Sequence, residues 1–249
     1  MPRQAREKSE SGIYHVMLRG INRQIIFEDD EDSEMFLQIL KDYKSVCGYM
    51  ILAYCLMNNH VHILIKTEKE ELSQVFKRIC GKFVYWYNNK YRRIGHLFQD
   101  RFKSEPIETD IYLLTVVRYI HQNPLKANSV KKIEDYKYSS YNEYVFGRNE
   151  NVTDTSMVLG MVGLKGFIDY HSVSNDDKCL ELQEREFRLT DEEAKHIIIK
   201  VSKCDNLSEF QELDRKYRDK FIKKFKERGL SIRQISRLTG ISKGIVEKT

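Results

Sequence analysis

The sequence predicts an α+β sandwich, a small antiparallel sheet with helices packed on one face, followed by an all-α C-terminal region. Three observations carry this. Short segments near the start alternate apolar and polar residues with period two, segments of helical period separate them, and past residue 147 only the helical period remains.

Gly12 to Arg19 reads as a strand, with Ile13, His15 and Met17 on one side and Tyr14, Val16 and Leu18 on the other. An acidic turn, Glu28 to Asp32, precedes a helix from about Ser33 to Val46 that Gly48 breaks. Met50 to Met57 and Asn59 to Lys66 form two strands joined at Asn58-Asn59, because Asn tolerates the positive φ of a tight turn. Glu71 to Tyr91 is helical, carrying Leu72, Val75, Phe76, Ile79 and Phe83 on one face. Phe98 to Ile107 is extended. The next helix starts after Asp110, read as its N-cap, and stops at Asn123, since Pro124 disfavours helical geometry in the residue before it.

The polar stretch Gly147 to Ser156 lacks periodicity and divides the chain into a domain of residues 1–148 and a helical region of residues 149–249. In the latter, Thr190 to Glu193 is a capping box opening a helix to about Val201, and Leu207 to Arg228 forms a longer one. Ser231 to Leu238 and Lys243 to Glu247, separated by Thr239 to Ser242, have helix-turn-helix spacing over residues 230–249, with Ile232, Ile235, Leu238, Ile241 and Ile245 as the apolar seam.

At 41% apolar and 32% charged residues, composition excludes collagen-like and wholly disordered classes. The longest apolar runs fall far short of the roughly 18 residues of a membrane helix, and Met1 to Glu10 lacks the apolar stretch of a secretory signal, so a cytoplasmic protein is expected. Five cysteines, with no C-x-x-C pair, fit ordinary thiols in a reducing compartment rather than a zinc knuckle. Without a G-x-x-x-x-G-K-[ST] loop, ATP is not expected.

Charge is patterned. Lys77 to Lys103 carries eight basic residues against one acid, interleaved with seven aromatics, and this suits either a single-stranded nucleic acid or a solvated basic face over an aromatic core. Asp214 to Lys243 holds eleven basic residues against three acidic ones, consistent with contact to DNA or with a basic helical bundle.

In Asn59-His60-Val61-His62-Ile63 the strand period puts His60 and His62 on one face, side by side, where two imidazoles form a ready chelate; partly exposed histidines without a role are the alternative. Tyr119 and Asn123 are i and i+4 and share a helix face, while Leu113, Val117 and Ile120 form a stripe able to dock on the sheet. Docked beside the histidines, Asn123 would supply an amide oxygen to a metal and Tyr119 a hydroxyl one turn away, able to attack a phosphate.

Tyr14-His15-Val16 leading to Arg19-Gly20, Met57-Asn58-Asn59-His60-Val61-His62, Gly95 to Ser104 (GHLFQDRFKS) and Arg118-Tyr119-Ile120-His121-Gln122-Asn123-Pro124 resemble the REP-associated tyrosine transposases, relatives of the insertion-sequence HUH transposases. The resemblance covers residues 10–146. It implies a ferredoxin-like fold, Mg²⁺ or Mn²⁺ held by His60, His62 and Asn123, a 5′-phosphotyrosine formed by Tyr119 on single-stranded DNA, and recognition of DNA hairpins. Many mobile relatives carry Gln where Asn123 stands. Thr115 and Asn123 occupy the positions a second catalytic tyrosine would need, which disfavours a two-tyrosine replication initiator. The rival from another class is a DNA-binding regulator that keeps the fold without cleaving.

Further DNA contacts are expected from His15, Arg19, Arg23, His96, Arg101 and Lys103, and, if the C-terminal helices read duplex DNA, from Ser242 and Lys243, with Arg233 and Arg237 near the backbone. His121 is expected at the surface. With a DNA partner the protein is expected to be nucleoid-associated; monomer and homodimer stay open.

Overall fold

The computed structural model describes residues 6–147, 152–173, 179–180, 191–204 and 207–249. The chain forms two compact units, Met1–Glu181 and Leu182–Thr249.

In the first unit, strands β1 (Ile13–Arg19), β2 (Tyr49–Met57), β3 (His60–Thr67) and β4 (Lys103–Pro106) form one antiparallel sheet in the order β2-β3-β1-β4. Helix α1 (Asp30–Cys47) connects β1 to β2, and α2 (Leu72–Lys90) connects β3 to β4. This is the ferredoxin-like order. Helix α1 begins at Asp29, whose side chain forms a reciprocal capping box with Asp32, and it ends at Gly48, where φ of 63° is open to glycine without strain.

Phe36, Ile39 and Leu40 of α1 and Val75, Phe76, Ile79 and Phe83 of α2 pack on Val16, Leu18, Val61, Ile63 and Ile65. The opposite face is covered as well, which corrects the expectation of helices on one face. Helix α3 (Asp110–Lys126) lays Leu113, Val116, Val117 and Ile120 against Leu52, Ala53, Cys55 and Leu64, and α4 (Tyr141–Phe146) and α5 (Ser156–Ser172) extend this second layer. A bulge between Ile51 and Ala53 lets consecutive residues Leu52 and Ala53 both face α3.

Two details of α3 differ from expectation. Thr109, not Asp110, caps it, its hydroxyl accepting from the Tyr112 amide. Pro124 lies inside the helix, which continues to Lys126. The proline falls in the last turn, where the bond forfeited is its own to the Ile120 carbonyl and the helix has only two residues left to run.

The first unit reaches past the division suggested at 148/149 because α5 inserts Phe167 and His171 against His121, Tyr141 and Tyr144. Polarity at 147–156 marks a connection within a unit. Residues 148–151 of that connection lie outside the described residues.

In the second unit, α6 (Asp191–Ser202), α7 (Leu207–Glu212), α8 (Arg215–Glu227), α9 (Ile232–Thr239) and α10 (Lys243–Lys248) enclose Ala194, Ile198, Phe210, Ile222, Phe225, Ile235 and Val246. The single helix expected over 207–228 is two, broken at Leu213-Asp214. Thr190 of the expected capping box lies outside the described residues. Helices α9 and α10 fall where the helix pair was expected. Ser231 and Gln234 cap α9 reciprocally, and Gly240 closes it at φ 71°. The expected seam changes at its end, where Val246 is buried and Ile245 is 42% exposed.

Candidate active site

The β1–β3 ladder pairs Met17 with His62 and Arg19 with His60, so both histidines project from the face that α3 covers. Their surroundings differ from open solvent. His62 is 1% exposed and His60 is half-buried. Burial holds the His60 imidazole down at about 4, with Arg19 adding to the effect, and pushes His62 well below the usual histidine range, with His15 and His60 contributing. Both rings are therefore neutral at physiological pH, the form that donates a lone pair to a cation.

The ring of Tyr119 on α3 stands edge-on to His62, with centroids 5.6 Å apart, and 5.9 Å from the ring of His15; the His60 and His62 centroids are 5.2 Å apart. One helical turn on, Nδ2 of Asn123 donates to the carbonyl of Tyr119 at 2.8 Å. A carbonyl only accepts, so the amide nitrogen must face it and Oδ1 faces away. The Lys126 ammonium lies 4.8 Å from the centre of the Tyr119 ring.

His60 is oriented in the same manner. The Asn59 amide nitrogen donates to the carbonyl of Arg23 at 3.3 Å, leaving its Oδ1 to accept from Nδ1 of His60 at 2.7 Å. The proton is thereby kept on Nδ1, and Nε2 holds the lone pair. Nδ1 of His62 is engaged by Nε2 of His15 at 2.9 Å. Two oriented imidazoles and an oxygen-bearing amide suit Mn²⁺ and accept Mg²⁺, so the residues present fit a divalent cation. Among the described residues no three His, Cys, Asp or Glu side chains are placed to hold a metal ion together.

Of the expected DNA contacts, His15 is corrected. It is wholly buried between His62 and Glu105, because its strand position faces α3. Arg19 and Arg23 are half-buried, and His96, Arg101 and Lys103 are exposed. Backbone bonds from Gly20 to Asn59, Ile21 to Leu97, Ile26 to Asn58 and Gln99 to Arg19 gather three loops at the end of the sheet where His60 stands. In the second unit Ser242 and Lys243 are exposed, and Arg237 is tied to Asp191.

His121 is also corrected. It is fully buried, bonded to His171 at 2.9 Å and to the Ser140 hydroxyl at 2.7 Å. Within the basic stretch 77–103, Phe83, Tyr87 and Phe102 belong to the core, Trp86, Tyr91 and Phe98 pack against it, and Lys90 is neutralised by Asp29, Glu31 and Asp32. Tyr85, 75% exposed, is the ring of this stretch most open to solvent. Glu105 escaped the sequence reading. Its strand has four residues and no alternation to signal which side chain faces inward.

Residues 8–123, a little under half of the chain, match the family model of IS200-like transposases. A Haemophilus influenzae protein provisionally named a REP-associated tyrosine transposase is 29% identical over 118 residues, 41% of this chain and 66% of that relative's length. The solved structure of a REP-associated tyrosine transposase bound to a REP hairpin superposes with a TM-score of 0.52 at 20% identity, covering 62% of this chain and 94% of that one. At that identity the likeness concerns the fold. No helix among the described residues is long and apolar enough to cross a membrane.

Proposed function

We propose that the chain cleaves and rejoins single-stranded DNA beside a hairpin, with Tyr119 as nucleophile. The observation that carries this reading is the Tyr119 ring set edge-on against His62, one helical turn from Asn123. His60, His62 and Asn123 would hold Mg²⁺ or Mn²⁺, which when bound polarises a phosphate and offsets charge in the transition state. The Tyr119 oxygen attacks phosphorus, the bond to the 3′ oxygen breaks, and a 5′-phosphotyrosine and a free 3′-hydroxyl result; attack by a 3′-hydroxyl reverses the step on a new strand. Arg19, Arg23, His96, Arg101 and Lys103 would contact the DNA backbone or hairpin, and Ser242 and Lys243 of the second unit a flanking duplex. Action on DNA would put the protein in the cytoplasm with the nucleoid.

A second reading, a hairpin-binding regulator that does not cleave, is favoured by one observation. Tyr119 is only 3% exposed, so a scissile phosphate reaches it only after the ring is uncovered. Incubation of the full chain with single-stranded DNA from its flanking genomic region, with Mn²⁺ and then denaturing electrophoresis, separates the two. A covalent adduct lost in Tyr119→Phe supports cleavage. Tight hairpin binding with no adduct supports the regulator.

A further inference from the structure

Strand β4 places Glu105 directly opposite His15, and His15 lies diagonally across from His62 on the same sheet face. The three side chains touch in series. Oε1 of Glu105 is 2.8 Å from Nδ1 of His15, and Nε2 of His15 is 2.9 Å from Nδ1 of His62. The two rings are stacked at 28°, and both are shut off from water.

We propose that Glu105 and His15 are positioning residues that fix the proton of His62 on Nδ1 and so present its Nε2 lone pair to a divalent cation. This rests on the metal-dependent reading above. A carboxylate accepts and cannot donate, so His15 must carry a proton on Nδ1. A neutral His15 then has only a lone pair on Nε2, and the hydrogen bond to His62 forms only if His62 donates from Nδ1. The opposite arrangement, with His15 donating to His62, requires an imidazolium at His15 and leaves His62 without a lone pair on Nε2. The end of the chain is anchored, since the backbone amide of Leu180 also donates to Oε1 of Glu105 at 2.9 Å. Asn59 performs the corresponding service for His60, so the two imidazoles are preset by independent partners. Outer-shell partners of this kind typically contribute about 10- to 100-fold to metal affinity.

The test uses the full chain, metal-free, with ¹⁵N-labelled histidine. Two-bond ¹H–¹⁵N correlation should find His62 protonated on Nδ1 and His15 neutral with its proton on Nδ1. Mn²⁺ titration, followed by the electron paramagnetic resonance of the free ion, should give Glu105→Gln an affinity within about threefold of the parent, because Gln oxygen still accepts from both His15 and Leu180. Glu105→Leu should weaken Mn²⁺ about 10- to 100-fold and mix the His62 tautomers. A His62 proton found on Nε2 in the parent, or a Glu105→Leu protein that binds Mn²⁺ as the parent does, overturns the proposal. Should Glu105→Leu not fold, the parent spectrum and Glu105→Gln still decide. A parent with His62 protonated on Nδ1 that takes up no Mn²⁺ overturns the metal reading alone.

Discussion

The side-chain amide of Asn123 donates to the backbone carbonyl of Tyr119 from 2.8 Å, so a candidate ligand and the candidate nucleophile are joined within a single helical turn. Replacing Asn123 by Ala removes one oxygen ligand and one hydrogen bond. Mn²⁺ affinity should fall less than in His60→Ala or His62→Ala, because water takes an oxygen ligand's place. Stability should drop by about 1 kcal/mol for the lost bond. Calorimetric Mn²⁺ titration beside denaturant melts checks both, and an Asn123→Ala affinity below that of either histidine variant would reverse the order of importance. Cleavage should stop in EDTA and return with excess Mn²⁺.

Tyr119→Phe keeps the ring that packs on His15 and His62 and deletes the attacking oxygen. Covalent attachment to DNA should vanish while hairpin affinity stays within about threefold. Undiminished adduct would assign the chemistry to another residue.

Away from the candidate metal site, His171 donates from Nδ1 to the Phe167 carbonyl and meets His121 through Nε2. Burial holds its imidazole down at about 4, against the upward pull of the Phe167 bond, and Arg118 adds to the lowering. The unfolded chain titrates near about 6.5. Between those values the unfolded state binds a proton that the native state refuses, so stability falls as pH drops through that window, and above it the His171 contribution is flat. His171→Gln should reduce the slope of unfolding free energy against pH, between about 4 and 6.5, by up to about 1.4 kcal/mol per pH unit. Equal slopes in urea melts of parent and variant would refute this.

Chain ends at two places should behave differently. Stopping at residue 149 deletes Phe167 and His171 and bares the buried His121, whereas stopping at Glu181 respects the boundary of the first unit. The shorter product should lose cooperative melting. The longer one should keep Tyr119-dependent cleavage, and, if α9 and α10 hold duplex DNA, its log K should depend less steeply on log salt, by about 0.9 per lost phosphate contact. Cooperative melting of the shorter product would show that α5 is dispensable.

What was readable in the sequence followed from periodicity. The alternation around His60 and His62 gave their shared face, and the i, i+4 spacing of Tyr119 and Asn123 gave theirs; both hold in the structure. What was not readable depended on contacts distant in sequence. His15 looked like an available polar side chain until β4 supplied Glu105, ninety residues away, as its partner. His121 read as surface because no local pattern announces that α5 returns to cover it. The aromatic residues of α2 suggested stacking on bases, yet the same spacing describes a helix face buried on a sheet; packing buries Phe83 and Tyr87 and leaves Tyr85 exposed.

The bulge in β2 shifts the parity of the strand. Before it, odd-numbered Tyr49 and Ile51 face α1 and α2; after it, even-numbered Tyr54 and Leu56 do. Strike out Leu52 and the remaining residues alternate without interruption, every one on its present side. The strand thus contains a removable letter. A lineage could gain or lose it, giving up one Leu side chain and the carbonyl that the Tyr144 hydroxyl uses, while the phase that carries the hairpin into Asn59, His60 and His62 stays intact.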